Sequence, residues 1–516
     1  RELCRRNKLK KKAMPLNDIT FVRGQGGLGR PLTGEDHVSS LLIYNDALPS
    51  GFSATDRIKA VYSLEQAEAL GIVGNFSDET ASTGTVGITN VGTNGNTIAI
   101  KVAEPNATVT LCTYTKVSTD TTVTNVADAI EALINADTDV HGYTATNLAG
   151  VITITARTGL GVFLNSGTPI TTVIVGSIAA TITQFSGGVA SKLAPMHYHI
   201  SEYFRAQPKG VLYVGIYGYP TSYTFEEVAT LVNYSGGKIR QMGVYVTNTA
   251  FASGQVTTLK TVCNTLAGEQ QPLSILYAAD MSAVSDLSTL ADLRTLSAPN
   301  VSVVIGQDGA AVGKELYDAC GYSITCLGAT LGAVSFSKVS ESIAWVGKFN
   351  MSNGVELDVA AFANGDLYRD TPKNLVSQLN ANKYIFLRKY INNSGTYFND
   401  SHTATPDTSD YAYIENQRTI DKAVRGIYAQ LQPEIASPLV LNADGTLQDV
   451  TVAYFENKAE VNLQQMVRDG ELSAFSVVID PSQNVLSTSK LVVTVQLLPI
   501  GVARQIQVNI GFTLSI

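Results

Sequence analysis

The chain has 516 residues, a formal net charge of −8 and only 16% charged side chains, while 45% of its residues are hydrophobic. This length predicts roughly three or four domains, and the low charged fraction, against roughly 25% in ordinary soluble domains, favours a surface that other subunits largely cover. The negative charge argues against direct binding of nucleic acid. No apolar run approaches the roughly 20 residues of a membrane-spanning helix, which argues against membrane insertion.

Five cysteines are scattered along the chain, and none of them forms a Cys-x-x-Cys pair. Their odd number and wide spacing favour neither a zinc site nor a disulfide framework. We therefore expect reduced and mostly buried thiols in a chain that matures in a cytoplasm. The five are Cys4, Cys112, Cys263, Cys320 and Cys326.

The chain opens on a strongly basic segment, residues 1–12, and no hydrophobic stretch follows it. It is therefore not a secretory signal. Because Met14 looks like a more natural start, we interpret residues 1–13 as an upstream extension or, alternatively, as a basic tail with an electrostatic partner. Residues 19–23 then form a short strand-like run, in which Ile19 and Phe21 supply the apolar side chains.

A glycine-rich segment follows this run and has the GxGxxG spacing of a dinucleotide-binding turn. That fingerprint requires a helix to begin within the glycines, whereas Pro31 and Gly34 follow without helical periodicity. We favour a flexible hinge over a nucleotide site, so that residues 1–30 contain a movable N-terminal arm. The hinge glycines are Gly24, Gly26, Gly27 and Gly29.

The next elements predict an α/β domain that is interrupted by a second domain. Residues 38–44 form a buried strand, and residues 63–71 form a short helix with a glycine stop. From residue 80 to 188 the sequence becomes rich in Thr, Val, Gly and Asn, with alternating strand-like runs around one helix at 125–135. This segment is predicted to be a self-contained, mostly-β insertion.

After the insertion, continuous apolar strands alternate with helices, which indicates a parallel or mixed sheet covered on both faces. The predicted strands are 210–217, 242–246, 273–278 and 301–305, and the predicted helices are 225–234, 256–268 and 287–296.

Two aspartates follow strands of this sheet, where ligands commonly bind. Asp280 and Asp308 could together hold a metal, which leaves a metal- or nucleotide-dependent hydrolase as a rival function. Neither has a histidine or third acid nearby in sequence, and aspartate often caps the next helix. We therefore expect no metal, no cofactor and no catalytic residue.

The segment His197-Tyr198-His199, with Glu202, is a second tempting metal pattern. The surrounding residues have helical spacing, and on a helix the two histidines diverge by about 200°. A structural role is therefore favoured. No GxSxG, HExxH or P-loop motif is present.

The last third begins with an amphipathic helix at 418–430, whose apolar stripe is Ile420, Val424, Ile427 and Leu431. A β-rich end is predicted to follow, with strands at 450–455, 476–480 and 491–497.

The final twelve residues, 505–516, alternate without a break between apolar and polar or glycine residues. A period of two predicts a strand with one buried face, about 40 Å long. Since no residue follows in the sequence to cover the free edge of this strand, we expect the strand to pair with the chain's own sheet or with that of a neighbouring copy. The apolar residues of this C-terminal arm that we expect to dock on a partner sheet are Ile506, Val508, Ile510 and Phe512.

The order of short motifs between residues 379 and 510 resembles that of the contractile tail sheath proteins of bacteriophages and related injection machines. The matching segments are 379–385, the glycine-aromatic element 392–398, the Arg418-Thr419 pair, the Gly470-Glu471-Leu472 step leading to Asp480, and the strand–Pro499–strand end. The only tryptophan is Trp345, so the chain resembles a divergent branch of that family.

The resemblance implies a structural, non-enzymatic subunit that polymerises as hexameric rings or a six-start helix around an inner tail tube. It implies baseplate and tail terminator proteins as further partners. It also places the chain in a virion tail assembled in the host bacterial cytoplasm, where contraction drives the tube through a cell envelope. The chain's own terminal arms would pair with strands of neighbouring copies. A surface adhesin or fibre remains a rival, because the inserted segment is rich in Thr and Gly.

The predicted fold class is therefore a multidomain α/β and α+β protein, with a mixed-sheet α/β core, an inserted mostly-β domain and strand-exchanging terminal arms. The predicted parts are 1–30, the basic extension and N-terminal arm; 31–79, the first part of the core; 80–188, the insertion; 189–370, the α/β core; 371–502, the C-terminal domain; and 503–516, the C-terminal arm.

Overall fold

The computed structural model of the protein describes residues 34–513. The predicted N-terminal arm with Ile19 and Phe21, the hinge at Gly24, Gly26, Gly27 and Gly29, and Cys4 lie outside the described residues. The same holds for the last three residues of the alternating C-terminal segment.

The first half of the described chain contains the start of the core and the inserted segment. Its elements are β1 (Val38–Tyr44), β2 (Ile58–Val61), α1 (Leu64–Ala69), β3 (Thr83–Val91), β4 (Thr97–Ala103), β5 (Thr108–Thr115), α2 (Val123–Ala136), α3 (Thr138–His141), β6 (Thr144–Leu148), β7 (Val151–Thr155), β8 (Ile170–Val175) and β9 (Ile178–Ser186).

The second half completes the core and adds a C-terminal domain. Its elements are α4 (Leu193–Ala206), β10 (Val211–Tyr217), α5 (Glu226–Tyr234), β11 (Gln241–Ala250), α6 (Ser253–Gly268), β12 (Ser274–Asp280), β13 (Val301–Val304), β14 (Gly306–Asp308), α7 (Val312–Cys320), α8 (Leu327–Phe336), β15 (Ala360–Phe362), α9 (Lys373–Ala381), β16 (Tyr384–Ile385), β17 (Leu387–Arg388), β18 (Tyr397–Phe398), α10 (Ile414–Leu431), α11 (Asp449–Arg468), β19 (Leu472–Val478), α12 (Val485–Thr488) and β20 (Thr494–Pro499).

The core is a seven-stranded sheet in the order β16-β13-β12-β11-β1-β10-β2. Every neighbouring pair is parallel except β10 and β2, which are antiparallel at one edge. All seven residues of the central strand β1 are buried, because helices cover both faces of the sheet. Apolar residues of α5, α6 and α9 cover one face, and those of α1, α4 and α8 cover the other. The predicted mixed-sheet α/β core is confirmed.

Helix α8 is apolar on all sides and lies inside the protein, against α4. Small residues allow this approach. A Cβ placed on Gly328 would come within 2.1 Å of the carbonyl oxygen of His199, and one on Gly332 would come within 2.6 Å of that of Tyr203. These two glycines therefore set the distance between the two helices, which also fixes the position of the C-terminal end of α8.

The inserted segment forms two antiparallel sheets, in the orders β6-β7-β3-β9 and β5-β4-β8. Helix α2 packs on them, with Val126, Ile130 and Ile134 fully buried. Its apolar cluster consists of residues between Val86 and Phe185. The segment therefore has a core of its own, which the alternating runs of the sequence specify locally. A bridge between Thr80 and Val189 joins its two ends.

The C-terminal domain contains α10, α11 and an antiparallel hairpin of β19 and β20. The strand predicted at 450–455 is wrong, because these residues begin the 20-residue helix α11. The helix buries Thr451, Phe455, Ala459, Leu463 and Met466, a spacing of three to four residues that places them on one side. A short run of alternating residues at its start resembled a strand, but the longer period over the whole segment decides its structure.

Two other predictions need correction. The helix predicted at 287–296 is two 3₁₀ turns, Leu287–Thr289 and Leu293–Leu296, whose first residues are capped by the side chains of Asp286 and Asp292. The boundary predicted at residue 371 is too early, because β16 joins the core sheet. The core sheet therefore extends past residue 371, and the C-terminal domain begins with α10.

Within residues 34–513, no helix is long and apolar enough to cross a membrane. The four cysteines in this range are buried and free of disulfides, as predicted: Cys112, Cys263, Cys320 and Cys326.

The packing of α8 on α4 leads to a test of the core. Gly328→Ala should lower the free energy of unfolding by about 1–3 kcal/mol or more, because the new methyl group meets backbone atoms that cannot move away easily. Gly254→Ala in α6 is the matched control, since nothing lies within 4 Å of its added Cβ. Urea unfolding of both variants measures the difference, and equal stabilities would contradict this account of the packing.

Candidate assembly site at the roots of the two arms

Helix α10 turns a polar face toward the interior of the protein. Glu415, Arg418 and Asp421 are 2%, 3% and 5% exposed, whereas Val424, from the predicted apolar stripe, is 39% exposed. The stripe is therefore not the buried face at the start of the helix. Only the later part of it packs inward, where Ile427 and Leu431 contact the apolar cluster of the C-terminal domain.

The C-terminal arm leaves the folded protein at Arg504, which we call the C-terminal root. Its guanidinium lies over the ring of Tyr413, 3.3 Å from the centroid. It donates through Nε to Asp400 at 3.1 Å and through a terminal nitrogen to Glu415. Burial alone would lower the pKa of Arg504, but Glu415 and Asp400 raise it. The C-terminal root is therefore fixed to the first turn of α10 by a stacked, charge-assisted contact.

Residues 34–37, which we call the N-terminal root, lie against the same face of α10. Lys422 donates to the carboxylate of Asp36 at 2.6 Å and to Glu471 at 2.7 Å. Burial would raise the pKa of Asp36, but Lys422 lowers it below its usual value. Glu35 pairs with Arg240, at the start of β11. The N-terminal root is thus held between the core sheet and the C-terminal domain.

Arg418 connects this root with the end of the buried helix α8. It donates to the hydroxyl of Ser337 at 2.7 Å and to the carbonyl oxygens of Ser337, Lys338 and Asp36 at 3.4–3.5 Å. Ser337 is the C-cap of α8, where backbone carbonyls lack intrahelical partners and a cation is favourable. Arg418 therefore satisfies the end of α8 and the backbone of the N-terminal root together. Arg418 also belongs to the Arg418-Thr419 pair, one of the motifs that resemble those of sheath proteins.

Four acids and four bases meet between the core and the C-terminal domain, and we call this group the charged seam. Burial raises the pKa of Asp421 to about 6 and lowers that of Arg425 to about 10. A cleft of about 850 Å³ opens along it. The four acids and four bases give the group a balanced formal charge. Its members are Glu35, Asp36, Arg240, Arg418, Asp421, Lys422, Arg425 and Glu471.

Beyond the C-terminal root, residues 505–513 form neither helix nor strand. The strand predicted from their alternation is therefore not formed within the described part of this subunit, which removes pairing with the chain's own sheet for these residues. The apolar side chains point into solvent: Ile506, Val508, Ile510 and Phe512 are 83%, 75%, 94% and 111% exposed.

The hairpin of β19 and β20 is a two-stranded sheet, so the outer edge of each strand has no strand partner in the described chain. Its inner face packs on the apolar cluster of α10 and α11 through Phe475, Val477, Val495 and Leu497. Two strands alone are marginally stable, and helices on one face stabilise them. The hairpin therefore offers rigid, open edges for additional strands.

The two aspartates predicted as possible metal ligands have structural partners. Asp308 accepts from the backbone amides of Ala310 and Ala311, in the turn that leads into α7. Asp280 accepts from the amides of Ser282 and Ser323 at 2.9 Å. Across residues 34–513, no three His, Cys, Asp or Glu side chains are arranged to hold a metal ion.

His197 and His199 lie on helix α4, as the helical spacing predicts. His197 contacts Glu68 at 2.9 Å on the surface. His199 is fully buried, its ring 4.3 Å from that of Tyr245, and burial lowers its pKa to about 3. The two rings therefore face different environments and do not share a ligand, while Glu202 pairs with Arg205.

From the sequence, Arg418 was recognisable only as part of a motif, and Glu415, Lys422 and Arg504 were not recognisable as contact residues. The sequence does indicate that these side chains belong together, because Glu415, Arg418 and Lys422 follow one another at spacings of three and four residues. That spacing places them on one helix face. Their burial could not be recognised without knowing which face the core covers.

The buried Asp421 gives the seam a dependence on pH. Its folded pKa of about 6, against the usual 3.8, means that the folded state binds a proton more tightly. The free energy of unfolding should therefore fall as pH rises from about 4 to about 6, by up to about 3 kcal/mol from this group. Asp421→Asn should remove that part of the dependence.

Urea unfolding of the native protein and of Asp421→Asn between pH 4 and pH 7 measures this contribution as the change in their difference. Asp139→Asn is the control, because Asp139 is exposed in the inserted segment. A difference between native and Asp421→Asn protein that stays constant over this range would contradict the assignment.

No curated protein matches the sequence. Among solved structures, the chain is similar to the contracted helical sheath of the anti-feeding prophage, with 16% identity over 62% of this chain and 81% of that chain and a TM-score of 0.42. It is similar to a sheath tail protein of Desulfitobacterium hafniense, with 9% identity over 93% and 100% of the two chains and a TM-score of 0.37. It is also similar to a sheath tail protein of Listeria innocua, with 10% identity over 91% of this chain and 96% of that chain and a TM-score of 0.38.

Two profiles of one family divide the sequence between them. The DUF2586 N-terminal domain matches residues 16–402, and the DUF2586 C-terminal domain matches residues 410–516. Their junction falls just before α10, where the core and the C-terminal domain meet along the charged seam. Since the two matches cover most of the chain, the protein belongs to the DUF2586 family.

Proposed function

We propose that this protein is a structural subunit of a contractile tail sheath, which polymerises around an inner tube and contracts to drive the tube through a cell envelope. The observation that carries the proposal is the C-terminal arm. It has the sequence of a strand, it is fixed at Arg504, and four of its apolar side chains, those in the described residues, are exposed on the single subunit.

The partner of this arm is another copy of the chain. An extended segment with alternating apolar residues binds by adding a strand to an open sheet edge, where backbone hydrogen bonds give affinity and alternate side chains give specificity. The β19–β20 hairpin supplies such edges, with α10 and α11 beneath it. The apolar side chains of an added arm would extend the inner face of the sheet, and each is worth about 1.5–3 kcal/mol when buried.

The N-terminal arm is proposed to pair in the same way through Ile19 and Phe21, with the glycines between Gly24 and Gly29 as its hinge. Copies linked through both arms would form hexameric rings or a six-start helix. Contraction would then change the packing of folded subunits while the arms keep them connected. The inner tube, the baseplate and the tail terminator are the proposed further partners, in a virion tail that is assembled in the bacterial cytoplasm. The role is structural, without catalysis.

Removal of residues 505–516 tests the proposal. The shortened protein keeps Arg504 and the whole folded part, so it should remain a soluble subunit but no longer form polymers. Sedimentation velocity and negative-stain microscopy measure the outcome. Normal hollow cylinders from the shortened protein would refute the proposed role of the arm.

A pair of single substitutions makes the test sharper. Ile510→Asp places a charge on the apolar face of the arm, and it should raise the concentration needed for polymerisation by at least about tenfold, since the lost burial exceeds about 1.4 kcal/mol. Asn509→Asp adds the same charge to the opposite face and should have a much smaller effect. Equal effects of the two would show that the arm does not bind as a one-sided strand.

A further inference from the structure

The two arm roots contact one face of a single helix. Glu415 accepts from Arg504 at the C-terminal root, while Arg418 and Lys422 donate to Asp36 at the N-terminal root. On an α-helix these three residues fall within about 60° of one another and span about 10 Å along the axis. One short stretch of α10 therefore lies between the two roots.

The contacts at the C-terminal root are directional. Arg504 stacks on Tyr413, which immediately precedes α10. The hydroxyl of Ser401 donates to the second oxygen of Glu415 at 2.6 Å, so the orientation of this carboxylate is fixed from two sides. A change in the position of Arg504 therefore acts directly on the first turn of the helix.

The contacts at the N-terminal root are directional as well, and they continue into the core sheet. Lys422 joins Asp36 to Glu471, which precedes β19. Asp36 is two residues before β1, the strand with β10 and β11 on its two sides. The amide of Val38 donates to the carbonyl of Glu35, and the amide of Arg240 donates to that of Val38, both at 3.0 Å. These two amides report on the state of the N-terminal root.

The apolar contacts of α10 are mainly with the C-terminal domain and only slightly with the core. Both apolar clusters of this domain consist of residues between Ala423 and Leu497. By contrast, the first two turns of α10 meet the core mainly through polar side chains, the apolar exception being Ile414. Polar contacts can exchange partners in a small shift without exposing a large apolar surface. The helix can therefore transmit a displacement from one root to the other.

We propose that α10 couples the two arms, so that Arg504, Glu415, Arg418 and Lys422 are positioning residues through which the state of one root alters the other. The inference rests on the proposed function for its consequence, since a coupled pair of arms would respond together when neighbouring subunits rearrange. The coupling itself is a property of the single subunit. It can therefore be measured without a polymer.

The experiment is hydrogen exchange on the full chain, at a concentration at which sedimentation shows single subunits. Arg504→Gln removes the charge and the stacking at the C-terminal root. Exchange at the amides of Val38 and Arg240 should accelerate by at least about fivefold, the lower end of ordinary coupling between two sites. By reciprocity, Lys422→Met should accelerate exchange at the amide of Ile414, which donates to Ser401 near the C-terminal root.

Arg157→Gln is the matched control, because Arg157 forms a comparable two-point pair with Glu104 in the inserted domain. It should leave the amides at both roots unchanged. The isosteric variant Glu415→Gln serves as a second probe if Arg504→Gln unfolds the protein, and amides of β7 in the inserted domain show whether unfolding is global.

Accelerated exchange confined to residues 400–415 in Arg504→Gln or Glu415→Gln, with Val38 and Arg240 unaffected, would overturn the coupling. That result would leave the proposed sheath role intact, because strand addition by each arm does not require it. Conversely, polymers formed without residues 505–516 would refute the role of the arm, whatever the exchange experiment shows.

Discussion

Burial of the charged face of α10 is the constraint on which the rest of this structure depends. Moving a charge out of water costs several kcal/mol unless a partner and further hydrogen bonds compensate it. Arg418 meets this condition with a hydroxyl and the free carbonyls at the end of α8, and Lys422 meets it with two carboxylates. Because each charge needs a partner, the seam holds the C-terminal domain against the core and limits their relative positions to those in which the charges are paired.

This arrangement separates two tasks within the chain. Apolar burial folds each part, since the core sheet, the inserted domain and the C-terminal domain each have apolar clusters of their own. Polar contacts then join the C-terminal domain to the core and hold both arm roots. The hydrogen bonds of such a polar junction define its geometry. A shift of the C-terminal domain relative to the core would nevertheless expose little apolar surface. This junction suits a subunit for which we propose two alternative packings in an assembly.

The parts of the fold that the sequence predicted well are those specified by local pattern. Strand β1 (VSSLLIY) has the predicted limits, because its short, mostly apolar run ends at the polar residues Asn45 and Asp46 and is too short for a typical helix. Helix α10 was predicted over 418–430 and spans Ile414–Leu431, but its orientation was wrong, since only Ile427 and Leu431 of the apolar stripe pack against the C-terminal domain. Helix α11 was missed because its first residues alternate. For α10, the deciding information is which neighbour covers its polar face, and that neighbour, the end of α8 with the N-terminal root, is distant in sequence. For α11, the period over the whole segment was needed rather than its first residues.

The C-terminal arm also shows that a local sequence pattern does not specify which neighbour a segment pairs with. Its period of two is the clearest pattern in the sequence, yet residues 505–513 form no strand in the single subunit. A strand requires a second strand for its hydrogen bonds. The regular alternation therefore implies a partner strand, which the described part of the single subunit does not supply. A chain in which only 16% of residues are charged places eight of those charges in one seam, where Arg418 and Asp421 are buried and Glu35 and Asp36 are only partly exposed. Its outer surface is thereby left with fewer charges that an approaching copy would have to desolvate.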